Sequence, residues 1–153
     1  MVAIILVALR IIIGIFFVVV SGDKLLHPYQ NFLYVVQGYR LFPPWAEEII
    51  AIAVPWVEFF LGLFLLLGLW LRLTVQVFMG MVGAFVLLLV QALVRKLPLQ
   101  DCGCFGSLLS FPVPATLAMD IVIFTVLAIM LVRLKEASRL SVDEYFAQPQ
   151  RRQ

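Results

Sequence analysis

Four stretches of this chain are too long and too apolar to be covered by anything but lipid. They run from about 2 to 20, 46 to 69, 74 to 94 and 113 to 132. Some twenty consecutive apolar residues in a helix match the hydrocarbon thickness of a bilayer. Within a bilayer the backbone must satisfy its own hydrogen bonds, which makes each stretch a helix. Charged residues make up 13% of the chain and hydrophobic ones 64%. That charge content is about half of what a soluble domain carries, so no water-soluble surface can be assembled. The expected fold is all-α: an integral membrane four-helix bundle over residues 1–134, followed by a polar tail over 135–153. The lipid bilayer is the first partner. With a formal net charge of +2 and no basic cluster outside the tail, no nucleic-acid partner is expected.

The connections add detail. The first run lacks a basic leader and a small-residue cleavage site, so it is expected to stay as a membrane helix rather than be removed. It is expected to end at the polar break Ser21-Gly22-Asp23-Lys24. The aromatic stretch that follows suits the lipid–water boundary. It predicts a short interfacial helix at about 29–39, closed by Pro43-Pro44. Pro55 is a potential kink in the second span. Trp70 to Leu73 reads as a tight turn. Gly80 and Ala84 offer a small-residue face for close packing in the third span. Pro112 and Pro114 suit the first turn of the fourth. Four spans put both termini on one side, together with Arg72, Arg133, Lys135, Arg139, Arg151 and Arg152. The other side has Lys24, Arg40, Arg95 and Lys96. The bias favours cytoplasmic termini in the inner membrane. The loop between spans three and four is then on the outer face, where disulfides persist.

That loop holds the only two cysteines, in Asp101-Cys102-Gly103-Cys104-Phe105-Gly106. One intervening residue sets a geometric problem. On a strand the two alpha carbons would be about 6.6–6.8 Å apart, at the upper limit for a disulfide. Closing the bridge needs a bent backbone, which Gly103 permits. Such a bond is strained, and strained, exposed disulfides are oxidising. As a staple it would close a tiny loop and stabilise little. The spacing therefore favours a redox pair over a structural one, with idle loop thiols and half a metal site as the other readings. A structural zinc site needs about four ligands, and His27 is the sole histidine, so no metal is expected. Both cysteines lie in one loop, which excludes a relay of thiol electrons across the membrane.

Arg10, Glu58 and Asp120 fall inside the spans, where a charge is costly and marks a partner or a function. Arg10 and Glu58 both sit near mid-span and are expected to meet as an ion pair that locks spans one and two. The functional alternative is proton handling or quinone binding. Asp120, two turns into the fourth span, is a candidate proton donor or polar cap beneath the cysteines. Asp23 and Lys24 are expected to pair at the headgroups. His27 is a candidate general base for a thiol.

Taken in order, Ser21-Gly22-Asp23-Lys24-Leu25-Leu26-His27-Pro28, Tyr39-Arg40-Leu41-Phe42-Pro43, Pro55-Trp56-Val57-Glu58 with Gly62, and Cys102-Gly103-Cys104-Phe105-Gly106 resemble the MauE/DoxX-like family of redox-associated membrane proteins. The resemblance covers roughly residues 10–132. It implies a four-helix bundle linked to periplasmic disulfide formation or thiol handling. It also implies a thioredoxin-like partner and a role in maturing a disulfide-rich enzyme subunit. The design is similar to that of the DsbB and vitamin K epoxide reductase bundles, which use quinone as electron acceptor. Those carry Cys-x-x-Cys and a second cysteine pair, whereas this chain has one pair. The expected function is thus a membrane thiol–disulfide oxidoreductase acting through Cys102 and Cys104, with no covalent cofactor and with quinone as candidate acceptor. A membrane assembly factor that docks a redox partner is the second reading, and a small transporter using the buried charges the third.

Overall fold

A computed structural model describes residues 2–97 and 112–138. Six helices follow one another: α1 (Val2–Leu26), α2 (Tyr29–Gly38), α3 (Pro44–Leu67), α4 (Leu71–Val94), α5 (Val113–Val132) and the short α6 (Leu134–Ala137). Helices α1, α3, α4 and α5 are long and apolar enough to cross a membrane. Only 22–33% of the apolar window of each is buried inside the protein, so most of the apolar surface points outward, as lipid requires. The protein is an all-helical, multi-pass membrane bundle.

The most extensive packing joins α1 to α3 and α4 to α5. A core of Ile13, Phe17, Leu65, Phe78, Val82 and Leu127 ties the two pairs together. Within it the rings of Phe17 and Phe78 meet edge to face at 4.5 Å. The α1–α3 contact is closest at two glycines. A β-carbon on Gly14 would stand 3.0 Å from the Gly62 carbonyl oxygen and from Leu66, and one on Gly62 would stand 3.1 Å from Phe17. Glycine alone lets the two backbones approach this far.

Several expectations are corrected. Helix α1 does not stop at residue 20; it runs on to Leu26. The polar residues stay helical because each has somewhere to go: the Ser21 hydroxyl donates to the Phe17 carbonyl, and Asp23 and Lys24 are buried. Gly80 and Ala84 are exposed, and a β-carbon on Gly80 would meet nothing within 4 Å. That small-residue face is not a packing seam, because it turns away from the bundle. The α3–α4 turn comes earlier than expected, over residues 68–70. Gly68 takes the left-handed conformation at φ 70° that caps α3, and the Leu69 N–H donates to the Phe64 carbonyl at 3.0 Å. Pro55 lies inside α3, which continues to Leu67.

The helix directions divide the bundle into two ends. One end holds the start of α1, the α3–α4 turn and α6. The other holds the end of α1, α2, the start of α3, the end of α4 and the start of α5. Val20, Tyr39, Leu89, Ala92 and Val113 form its core. Residues 98–111 connect α4 to α5 at this second end, called the cysteine end below. Cys102 and Cys104 lie outside the described residues.

Candidate functional site

The register of α1 on α3 decides which charges meet. Gly14 faces the turn between Gly62 and Leu66, and the helices run antiparallel. At 1.5 Å per residue, Arg10 is displaced from Glu58 by about 15 Å along the pair, and Lys24 by only about 6 Å. The four-carbon stem of a lysine covers that gap. Lys24 Nζ donates to Glu58 Oε2 at 2.7 Å, with 2% and 1% of the two side chains exposed. The expected Arg10–Glu58 pair is therefore replaced by Lys24–Glu58. Arg10, also buried, donates from Nη1 to the Ala137 carbonyl at 2.8 Å, which fastens α6 to α1. The expected Asp23–Lys24 pair does not form either, since adjacent helical residues do not face each other. Asp23 instead stands one turn from His27, whose Nδ1 is 3.4 Å from Asp23 Oδ1 and 2.8 Å from the Asp23 carbonyl oxygen.

The same register creates a recess. Counting from Gly14, α1 ends about 12 Å short of the level at which α3 begins. The chain turns there, and α2 packs back against α3. Lys24 thus sits about 15 Å along α3 from the level of its first residue. A desolvated lysine is costly unless a carboxylate and further contacts answer it. Glu58 supplies the carboxylate, and the Phe32 ring, 4.8 Å from Nζ, supplies a cation–π contact. Beside the pair lies a cleft of about 290 Å³, bounded by Lys24, His27, Phe32, Ile52, Pro55 and Trp56. Pro55 carries no N–H, so the carbonyl of Ala51, another wall of the cleft, receives no helical bond from it.

Asp23, Lys24, His27 and Glu58 thus gather at or below the cysteine end. Arg10 belongs to the opposite end. Asp120 is buried in α5, beyond one turn from the buried Thr116, and does not border the cleft. Phe32 was readable as part of the aromatic stretch after span one and Trp56 as part of Pro55-Trp56-Val57-Glu58; their meeting at one site follows from the α1–α3 stagger, which no local pattern encodes. Among the described residues no group of three or more His, Cys, Asp and Glu side chains is placed to hold a metal. The site offers one compensated ion pair, a histidine at its rim and aromatic walls. It is suited to holding a small, uncharged, hydrogen-bonding group.

No solved structure matches the chain. A methylamine utilization protein MauE from Paracoccus denitrificans is 32% identical over 128 residues, which cover 80% of this chain and 65% of that relative. This chain therefore spans just under two thirds of the length of the curated relative. A family model described as methylamine utilisation protein MauE matches residues 2–134, which takes in all four spans, the cleft and the cysteine segment. The chain belongs to the MauE family.

Proposed function

We propose that this protein is a membrane thiol–disulfide oxidoreductase whose Cys102–Gly103–Cys104 pair exchanges disulfides with a thioredoxin-like partner at the outer face of the inner membrane. The observation that carries it is the Cys-Gly-Cys pair in the segment joining α4 to α5. That segment leaves and re-enters the bundle at a single end, beside the helix start at Val113. A partner thiolate attacks one sulfur of the Cys102–Cys104 disulfide, and a mixed disulfide forms. The partner's second thiolate attacks the mixed disulfide, leaving the partner oxidised and both cysteines as thiols. Returning them to the disulfide removes two electrons and two protons. An acceptor dissolved in the bilayer, of the quinone class, takes them. The termini are cytoplasmic in this reading, by the excess of basic residues at their end. The relative from Paracoccus is named for methylamine utilization; the corresponding role here is assisting disulfide formation in an enzyme of such a system.

The test is thiol oxidation by membranes containing the protein. Single Cys102→Ser and Cys104→Ser variants are expected to lose it, while mass-tag alkylation shows two cysteines becoming reactive together only after reduction. Full activity in both variants would falsify the proposal. Copurification of a partner that survives the double substitution, without thiol oxidation by the wild type, would establish a docking subunit instead.

A further inference from the structure

We infer that the cleft beside the Lys24–Glu58 pair binds the ring of a membrane quinone, with Lys24 Nζ donating to a ring carbonyl. The inference rests on the proposal that the dithiol is reoxidised within the bilayer, and names where the acceptor is held. Four properties of the cleft select this ligand. The first is its mouth. Ile52 and Trp56 border it and are each 50% exposed. They share the outward side of α3 with Ile49 and Phe60, which are exposed too. A ligand with an apolar tail therefore has a way in from lipid, while His27 and Tyr29, also exposed, line the cleft toward the end of the bundle.

The second is size. At about 290 Å³ the cleft is at the lower limit of small-molecule sites. It admits one substituted ring with its tail trailing into lipid. The third is charge. Lys24 is already neutralised by Glu58 at 2.7 Å. A lipid phosphate would find no net positive charge, and a cation would find the carboxylate occupied. A neutral ring with carbonyl oxygens needs neither. The fourth is the hydrogen-bonding pattern. An ammonium has three donors, and one is committed to Glu58 Oε2. A further donor can meet a quinone oxygen. The Ala51 carbonyl, which Pro55 leaves without its helical N–H, can accept from the hydroxyl of the quinol. Both redox forms are thus accommodated, and the aromatic side chains of Phe32 and Trp56 give the lining an apolar character that suits a conjugated ring. The overall exchange balances. The two thiols lose two electrons and two protons as the S–S bond forms, and the quinone gains both and departs as quinol.

The experiment is equilibrium binding of decylubiquinone to the full chain in phosphatidylcholine nanodiscs, followed by tryptophan quenching and by depletion of free quinone. Saturable binding is expected. Trp56→Phe should remove most of the quenching and leave depletion intact. The double variant Lys24→Met with Glu58→Gln keeps volume and leaves no orphan charge. It should bind at least about tenfold more weakly, the equivalent of one hydrogen bond to a charged donor. If that variant does not fold, Ile52→Phe narrows the mouth with the pair intact and should weaken binding likewise. Unchanged affinity in a folded double variant, or in Ile52→Phe, overturns the inference. So does displacement of the quinone by phosphatidylglycerol, which would make a lipid headgroup the occupant. Binding is also measured in Cys102→Ser with Cys104→Ser, where it should persist. Absent binding alongside cysteine-dependent thiol oxidation removes the cleft assignment alone. Persistent binding with cysteine-independent oxidation removes the oxidoreductase reading alone.

Discussion

Helix α1 buries two cations, Arg10 toward its middle and Lys24 near its C-terminal end, and the two are handled differently. Arg10 is closed in: 1% exposed, it donates to the Ala137 carbonyl and holds a four-residue helix against the bundle. Lys24 is equally removed from water, yet it borders an opening. Its carboxylate partner comes from another span, and an aromatic ring covers its flank. The Ala137 carbonyl is a fixed dipole, whereas Glu58 is an ionisable group that reaches the cleft only through Lys24. Helix α1 thus carries one cation tied to the Ala137 carbonyl and a second, toward the cysteine end, paired with a carboxylate on α3 beside a cleft.

The sharpest way to break this comparison is to remove half of the Lys24–Glu58 pair. Lys24→Met or Glu58→Gln alone strands a buried polar group, or a charge, without its partner. Losses of about 3–5 kcal/mol are expected for breaking a buried pair. The double variant should recover most of that loss, because no charge is then left uncompensated. Unfolding in detergent micelles gives all three values, and simple additivity of the single losses would show that the pair is not coupled. At the other end, Arg10→Met removes at least the bond to the Ala137 carbonyl and should cost at least about 1.5 kcal/mol, the lower end for a hydrogen bond from a charged donor. Its signature is local: α6 should detach and the chain beyond Arg133 become more sensitive to protease.

A smaller effect separates true from apparent packing seams. Gly14→Ala places a β-carbon 3.0 Å from the Gly62 carbonyl oxygen. A loss of about 1–3 kcal/mol is expected, typical of overpacking. Gly80→Ala meets nothing within 4 Å, and should be neutral or slightly stabilising through helix propensity. Equal effects at the two positions would mean that the α1–α3 contact is looser than the two glycines indicate.

These two glycines also show what a sequence conceals. The spans were legible because hydropathy is summed over some twenty residues, and local exceptions do not disturb the sum. The short helix after α1 was legible from its aromatic residues and the prolines that follow. The cost of Glu58 in a membrane was legible as well. Its partner was not, since pairing depends on the stagger of two helices and joins residues 34 positions apart in the chain. Gly14 and Gly62 meet at that contact as single residues on different helices, and no spacing in the sequence links the one to the other. Gly80 and Ala84 do form one, yet they face outward. The polar run 21–24 looked like a helix end because each residue was weighed alone; the Lys24–Glu58 contact and the Ser21 hydroxyl bond keep it helical.

His27 gives the smallest stability effect and sharpens the contrast furthest. Its ring stands 3.4 Å from Asp23 Oδ1 with about half of the side chain exposed. Exposed pairs of this kind contribute less than about 1 kcal/mol. His27→Ala should therefore leave unfolding nearly unchanged, unlike loss of Lys24 or Arg10. Its effect on chemistry is a separate matter, because the imidazole lines the cleft with about half of its side chain exposed. A folded His27→Ala protein with slowed thiol oxidation and unaltered decylubiquinone affinity would assign proton transfer to this residue. Unaltered oxidation would leave Lys24 and Glu58 as the groups at the cleft that matter, and would make the cysteine end depend on its buried pair as fully as the terminal end depends on Arg10.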